Sequence, residues 1–189
     1  MLEPRVVRWI IYGLWIIWCV VWTIKAFGNK RNAYSQSWFS RFAYILAIVA
    51  FSFVLKYGFS WRLRLYPYTI VTQIAGIVFC AAGVGVSIWA RAILGSNWSG
   101  IVTLKENHEL IRSGPYGFVR HPIYSGIILG VLGSIVALDP WVSGALIFVF
   151  VVVALKIKSL QEEKIMIANF PNDYPQYKRD VRSLIPFVL

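Results

Sequence analysis

The chain has 189 residues, of which 58% are hydrophobic and only 14% charged, with a net charge of +11. A soluble domain carries about 25% charged residues, so an ordinary soluble fold is excluded. The positive charges fall between long apolar runs rather than in a basic face, which argues against nucleic acid and for loops that meet anionic lipid. Cys19 and Cys80 both lie inside apolar runs, and two histidines are too few for a histidine metal centre, so neither a disulfide framework nor a metal site is expected.

A membrane-crossing helix needs about 20 mainly apolar residues, and the length is that of one domain. The expectation is a single all-α integral membrane bundle over 1–189 with about five transmembrane helices, near 6–27, 39–58, 68–94, 122–138 and 141–168. The first run is too long for a signal-peptide core, and Lys25 follows it without a small-residue cleavage site, so it reads as a retained helix. The third is long enough to tilt or project from the bilayer. It carries Gly76, Ala81, Ala82, Gly83 and Gly85, and the fourth carries Gly126-x-x-x-Gly130 and Gly133, small residues that let helix backbones approach closely in lipid. Asp139-Pro140 alone separates the fourth and fifth runs, which predicts a tight antiparallel helical hairpin. The fifth turns charged after Leu155 and continues as a helix beyond the membrane.

Five spans put the termini on opposite sides. One side holds Lys25, Lys30, Arg31, Arg41, Arg91, Lys105, Arg112, Arg120, Lys156, Lys158, Lys164, Lys178, Arg179 and Arg182; the other holds Arg5, Arg8, Lys56, Arg62 and Arg64. Basic residues favour the cytoplasm, so the N-terminus is expected outside and the third loop and C-terminal tail inside.

Those two cytoplasmic segments hold the polar residues that a plain bundle does not need. In the first, Gly114-Pro115 forces a turn, and Arg120 and His121 precede Pro122, which suits the first turn of a helix because it lacks an N–H. A cation, an imidazole and open helix N–H groups then meet at one spot, which suits an anion such as the carboxylate of an amino-acid-bearing cofactor. In the second, Glu162 and Glu163 are adjacent and point about 100° apart on a helix, so at most one is expected to face a given site. Phe170, Tyr174 and Tyr177 suit a helix that lies on the membrane surface or caps a pocket.

The motifs are Arg91-x-x-Leu-Gly95 with Trp98-Ser99, His108-x-Leu-Ile-x-x-Gly-Pro-Tyr116, Val119-Arg-His-Pro-x-Tyr-x-Gly126, Glu162-Glu163, Tyr174-x-x-Tyr177-x-x-x-Val181 and Leu184-Ile-Pro186. In this order and spacing the C-terminal half resembles the isoprenylcysteine carboxyl methyltransferase family and, more widely, the phospholipid methyltransferase-like membrane methyltransferases. The block from Gly-Pro-Tyr to Arg-His-Pro-x-Tyr-x-Gly is shared with membrane sterol reductases. The resemblance implies S-adenosylmethionine as cofactor, bound without a Rossmann domain; no Gly-x-Gly-x-x-Gly fingerprint occurs. It implies a cofactor pocket formed by the cytoplasmic loop, the last hairpin and the tail, lined by His108, Leu110, Ile111, Gly114, Tyr116, His121, Pro122 and Tyr124. It also implies that Glu163 holds the cofactor's amino group or the reacting end of the site and that Arg179 holds the acceptor's carboxylate, with Arg120 completing the catalytic set.

The acceptor expected from the resemblance is the carboxylate of an isoprenylated cysteine or a similar lipid-tailed molecule. Alternatives are a phospholipid amine, a sterol-type reduction using NADPH, and a non-catalytic membrane scaffold. An amine would need a base, for which Glu163 is the candidate, whereas a carboxylate would need none. Partners are then the lipid-tailed acceptor and membrane lipid, with no nucleic acid; small-residue faces permit a dimer without requiring one.

Overall fold

The computed structural model describes residues 2–26, 65–95, 110–138 and 142–185. Four long helices carry it: α1 (Pro4–Ala26), α2 (Ile70–Leu94), α3 (Pro122–Leu138) and α4 (Val142–Asn169), followed by a short α5 (Tyr174–Asp180). A 3-10 turn at Gly114–Gly117 precedes α3. Three of the helices are long and apolar enough to cross a membrane, and α3 is a shorter apolar helix. The described residues contain no strand, only an isolated parallel bridge between Val119 and Arg182. The expected helix at 39–58 lies outside the described residues, as do Asp139 and Pro140.

Local chemistry sets the helix ends. Pro4 opens α1 at a position where no N–H is needed. Thr69 caps α2 through a reciprocal pair: the Thr72 N–H donates to Thr69 Oγ1 at 3.3 Å and the Thr69 N–H to Thr72 Oγ1 at 2.9 Å. Gly95 ends α2 at φ 56°, which a side chain would resist.

Helices α1 and α2 run parallel. At one end Gln73 pairs with the backbone of Leu2, Leu2 N donating to Oε1 at 3.0 Å and Nε2 donating to Leu2 O at 3.2 Å. At the other, buried Arg91 donates to Lys25 O at 2.8 Å and Gly95 O at 2.6 Å. A cation placed among helix C-terminal carbonyls is well matched to their partial negative charge. Arg91, counted above among the loop charges, is thus an interior tie between two helix ends.

Helix α3 lies antiparallel to α2 at very close range. The buried residues of α2 are Gln73, Gly76, Cys80, Gly83, Val84, Ser87, Ala90 and Arg91, and Gln73, Gly76, Cys80, Gly83, Ser87 and Ala90 among them form a stripe of alternating three- and four-residue steps. Gly126, Gly130, Gly133 and Ala137 answer it from α3 with the same stepping. A Cβ on Gly126 would lie 2.6 Å from Gly83 O and 2.7 Å from Ser87 N. Of the small residues expected to serve packing, Ala81, Ala82 and Gly85 face outward instead, because they fall off this 3.5-residue stripe. Helix α1 covers the pair, its Trp15 indole donating to Ser134 Oγ at 2.9 Å and its Trp18 indole to Ser87 Oγ at 2.8 Å.

Candidate functional site

The C-terminal ends of α1, α2 and α4 gather at the same end of the bundle as the N-terminal end of α3, and the tail folds across them. The tail is zipped to the strand-like segment before α3: Arg120 N donates to Arg182 O at 2.8 Å, His121 N to Ser183 O at 3.0 Å, and Ser125 Oγ to Leu184 O at 2.5 Å. His121 O then accepts from the Tyr124 and Ser125 N–H groups and so starts α3. The segment around Arg120 and the tail, distant in sequence, are one structural layer.

Helix α4 brings Glu163 into that layer. Arg120 donates to Glu163 Oε1 from Nε at 3.1 Å and from Nη2 at 2.7 Å. Its Nη1 donates to the carbonyls of Lys178 and Val181, near the C-terminal end of α5. Lys178 Nζ lies 2.8 Å from Glu163 Oε2. Arg120 and Glu163 are both buried, so each charge needs the other.

His121 sits between both carboxylates, with Nδ1 3.5 Å from Glu162 Oε2 and Nε2 3.4 Å from Glu163 Oε1. This corrects the expectation that at most one of the adjacent glutamates faces the site. The imidazole presents nitrogens on two edges, so carboxylates diverging from α4 both reach it. Glu162 also accepts from Tyr124 Oη at 2.6 Å, and the His121 and Tyr124 rings stack at 5.5 Å.

Burial opposes the charged form of His121, but hydrogen bonds to Glu162 and Glu163 outweigh it and hold the pKa above the usual 6.5. A proton held more tightly in the fold than in the unfolded chain contributes stability that is complete below about 6.5 and is lost as pH rises through the folded value. The thermal midpoint advantage of the wild type over His121→Gln in detergent is therefore expected to be largest in mild acid and to shrink as pH rises. An advantage that grows with pH would contradict a protonated His121.

The tail aromatics form the roof. Tyr174 and Tyr177 are buried, so α5 caps the layer. Burial pushes the Tyr177 phenol up to about 12, which keeps it a donor, and it bonds Tyr116 O at 2.6 Å. Arg112 lies over the Tyr177 ring at 5.4 Å and donates to Asp173 O at 2.8 Å. Tyr116 is buried with Ala90, Ile123, Tyr124 and Leu184, and Ile111 packs on this cluster.

Of the residues anticipated from sequence, Arg120, His121, Pro122, Tyr124 and Glu163 come together here, with Tyr116 and Ile111 beneath them. Leu110 is half-buried at the start of the segment, and Gly114, at φ 58°, sits against Ile93 and Trp89. Arg179 is exposed and donates to Gln176 Oε1 at 2.5 Å, away from Glu163. His108 lies outside the described residues. Lys178 was not anticipated, although a signal existed: Tyr174, Tyr177, Lys178 and Val181 share one helical face by their three- and four-residue steps, and Arg179 does not. Ser183 was also missed; its hydroxyl is buried without a hydrogen-bond partner among the described residues.

Known proteins resemble this chain in sequence and in fold. The model of the isoprenylcysteine carboxyl methyltransferase family matches residues 74–168, which takes in most of α2, all of α3 and nearly all of α4. The protein-S-isoprenylcysteine O-methyltransferase of Schizosaccharomyces pombe is 29% identical over 150 residues, covering 78% of this chain and 59% of that protein. A protein described as a probable protein-S-isoprenylcysteine O-methyltransferase in Oryza sativa subsp. indica is 27% identical over 169 residues, 86% of each chain. The chain spans only 59% and 55% of the fission- and budding-yeast relatives' lengths. The solved structure of a eukaryotic intramembrane Ras methyltransferase, isoprenylcysteine carboxyl methyltransferase, superposes with a TM-score of 0.60 at 21% identity, covering 82% of this chain and 55% of that one. At that identity the superposition speaks for the fold, an integral membrane helical one, and the family model speaks for descent: this chain belongs to the isoprenylcysteine carboxyl methyltransferase family.

Proposed function

We propose that the protein transfers a methyl group from S-adenosylmethionine to the carboxylate of an isoprenylated cysteine or a similar lipid-tailed acceptor at the cytoplasmic face of its membrane. The observation that carries this reading is the buried cluster of Arg120, His121 and Glu163, joined from the solvent side by Lys178, where α3, α4 and the tail meet. Methyl transfer is an in-line displacement whose demands are alignment and charge placement. A carboxylate acceptor is already ionised at neutral pH, so the site need only hold it, and a cationic rim supplies that.

The residues present fit the cofactor's chemistry. S-adenosylmethionine, when bound, supplies an electrophilic methyl on a sulfonium, with an ammonium and a carboxylate on its amino-acid end. Glu163 is the acid suited to the ammonium. His121, Pro122, Tyr124, Tyr116, Leu110, Ile111, Gly114 and, by resemblance, His108 form the proposed pocket, and the partnerless Ser183 Oγ, next to the backbone bond between His121 and Ser183, offers a further hydrogen bond. In this reading Arg120 positions Glu163, since its guanidinium is engaged by protein on all three nitrogens, and Arg179 lies at the acceptor side.

Charge distribution supports the orientation. Among the described residues the site end bears Lys25, Arg112, Arg120, Lys164, Lys178, Arg179 and Arg182, and the opposite end Arg5 and Arg8. Exposed Val149, Val153, Ile157 and Leu160 form an apolar stripe along α4 toward the site end of the bundle, a surface on which a prenyl or acyl tail would stay in lipid. Each CH₂ kept there favours binding by about 0.8 kcal/mol.

The test is transfer of labelled methyl by the purified protein to three acceptors: a farnesylated cysteine, an aminophospholipid and a short-chain lipid acid. Base-labile label on the farnesylated cysteine is the expected result. Base-stable label on the aminophospholipid alone would replace this reading with amine methylation. Calorimetric binding of NADPH, with none of S-adenosylhomocysteine, would replace it with reduction.

A further inference from the structure

Glu163 is held unevenly. Its Oε1 takes both Arg120 bonds and faces His121, and these two side chains are 7% and 10% exposed. Among the described residues its Oε2 meets only the Lys178 ammonium, at 2.8 Å, and the Lys178 side chain is 43% exposed. One oxygen is therefore fixed by buried groups that the fold locks in place. The other is held by a long, flexible side chain reaching in from solvent.

We propose that Lys178 is an exchangeable latch: its ammonium occupies on Glu163 the place of the methyl donor's ammonium, and once displaced it binds the acceptor's carboxylate. This rests on the methyltransferase reading above and goes beyond it by coupling the two substrates. Exchanging one ammonium for another leaves the buried carboxylate compensated throughout, so no step strands a charge in the interior. Lysine suits the task because it is a compact charge on a four-carbon stem with three rotatable donors. Arg120 does not, since it is already bonded to Glu163 and to the Lys178 and Val181 carbonyls. Arg179 is turned to Gln176. The released Lys178 would stand beside the donor pocket as a cation seeking an anion, so donor binding prepares the acceptor site and the order of binding is donor first.

Three measurements on the full chain in detergent test this. Lys178→Met keeps the stem and removes the competitor, so S-adenosylhomocysteine should bind about threefold tighter, the scale of a half-exposed ion pair. The same variant should raise KM for a farnesylated cysteine about tenfold, as loss of a charged hydrogen bond does. In the wild type, S-adenosylhomocysteine should increase acylation of the Lys178 amine, read by mass spectrometry. Unchanged or weaker S-adenosylhomocysteine binding by Lys178→Met, or unchanged labelling of Lys178, overturns the latch while leaving the methyltransferase reading intact. Failure of the wild type to bind S-adenosylhomocysteine overturns both.

Discussion

Glu163→Gln is expected to lower kcat/KM by about 10²–10³, the cost of removing one group that places charge in an active site, and to weaken S-adenosylhomocysteine binding. It should also destabilise the protein by about 3 kcal/mol, the low end for breaking a buried pair. The reason is local. Arg120 is buried and directs two of its nitrogens at Glu163 Oε1, and an amide gives it an acceptor without a charge. His121 loses one of its two carboxylates, and Lys178 loses its partner. Activity and thermal midpoint measured together decide the case. A glutamine variant that retains activity within about threefold would show that the carboxylate is not used in catalysis.

The second large effect is expected far from any charge. Gly126→Ala should destabilise the fold by at least about 2 kcal/mol and abolish activity, whereas Gly85→Ala should be neutral or slightly stabilising. Both are helix-interior glycines, and alanine is the better helix former by about 1 kcal/mol, so propensity alone predicts the same small gain at each. Packing separates them. The Gly126 methyl would press on Gly83 O, Ser87 N and Ser87 Cβ, at 2.6–2.8 Å, and backbone can yield only if α2 and α3 part. The Gly85 methyl would meet nothing within 4 Å. Parting the helices also moves the first turn of α3, which carries Tyr124 and directly follows His121, so catalysis is lost with packing. Equal thermal midpoints for the two variants would contradict the close α2–α3 contact.

These cases show what kinds of information a linear chain holds. Pro122 announced the start of α3 through its missing N–H, and Gly114-Pro115 announced the turn before it; both follow from the residue's own backbone chemistry. The clustering of Arg120, His121 and Glu163 was reachable only through resemblance, because 42 residues separate His121 from Glu163 and no local rule links them. Which small residues form the α2–α3 seam was half legible. A count of glycines and alanines does not distinguish Gly83 from Gly85, but the 3.5-residue stepping of buried positions does. That Lys178 rather than Arg179 turns toward Glu163 is the same kind of phase. The spacing put Lys178 on the face of Tyr174 and Tyr177, but that this face turns to Glu163 depends on where the tail is pinned.

By itself the sequence determined the environment: long apolar runs must lie in lipid because their backbone polar groups can be satisfied there only within helices. It also determined that charged and aromatic residues concentrate in two segments near helix ends. Only the tertiary structure decided how these segments meet, because backbone bonds from Arg120 and His121 to the tail, and the reach of two adjacent glutamates to one imidazole, are distances between parts of the chain that are remote along it. A residue's hydropathy travels with it, but its partner is set by where the rest of the chain comes to rest.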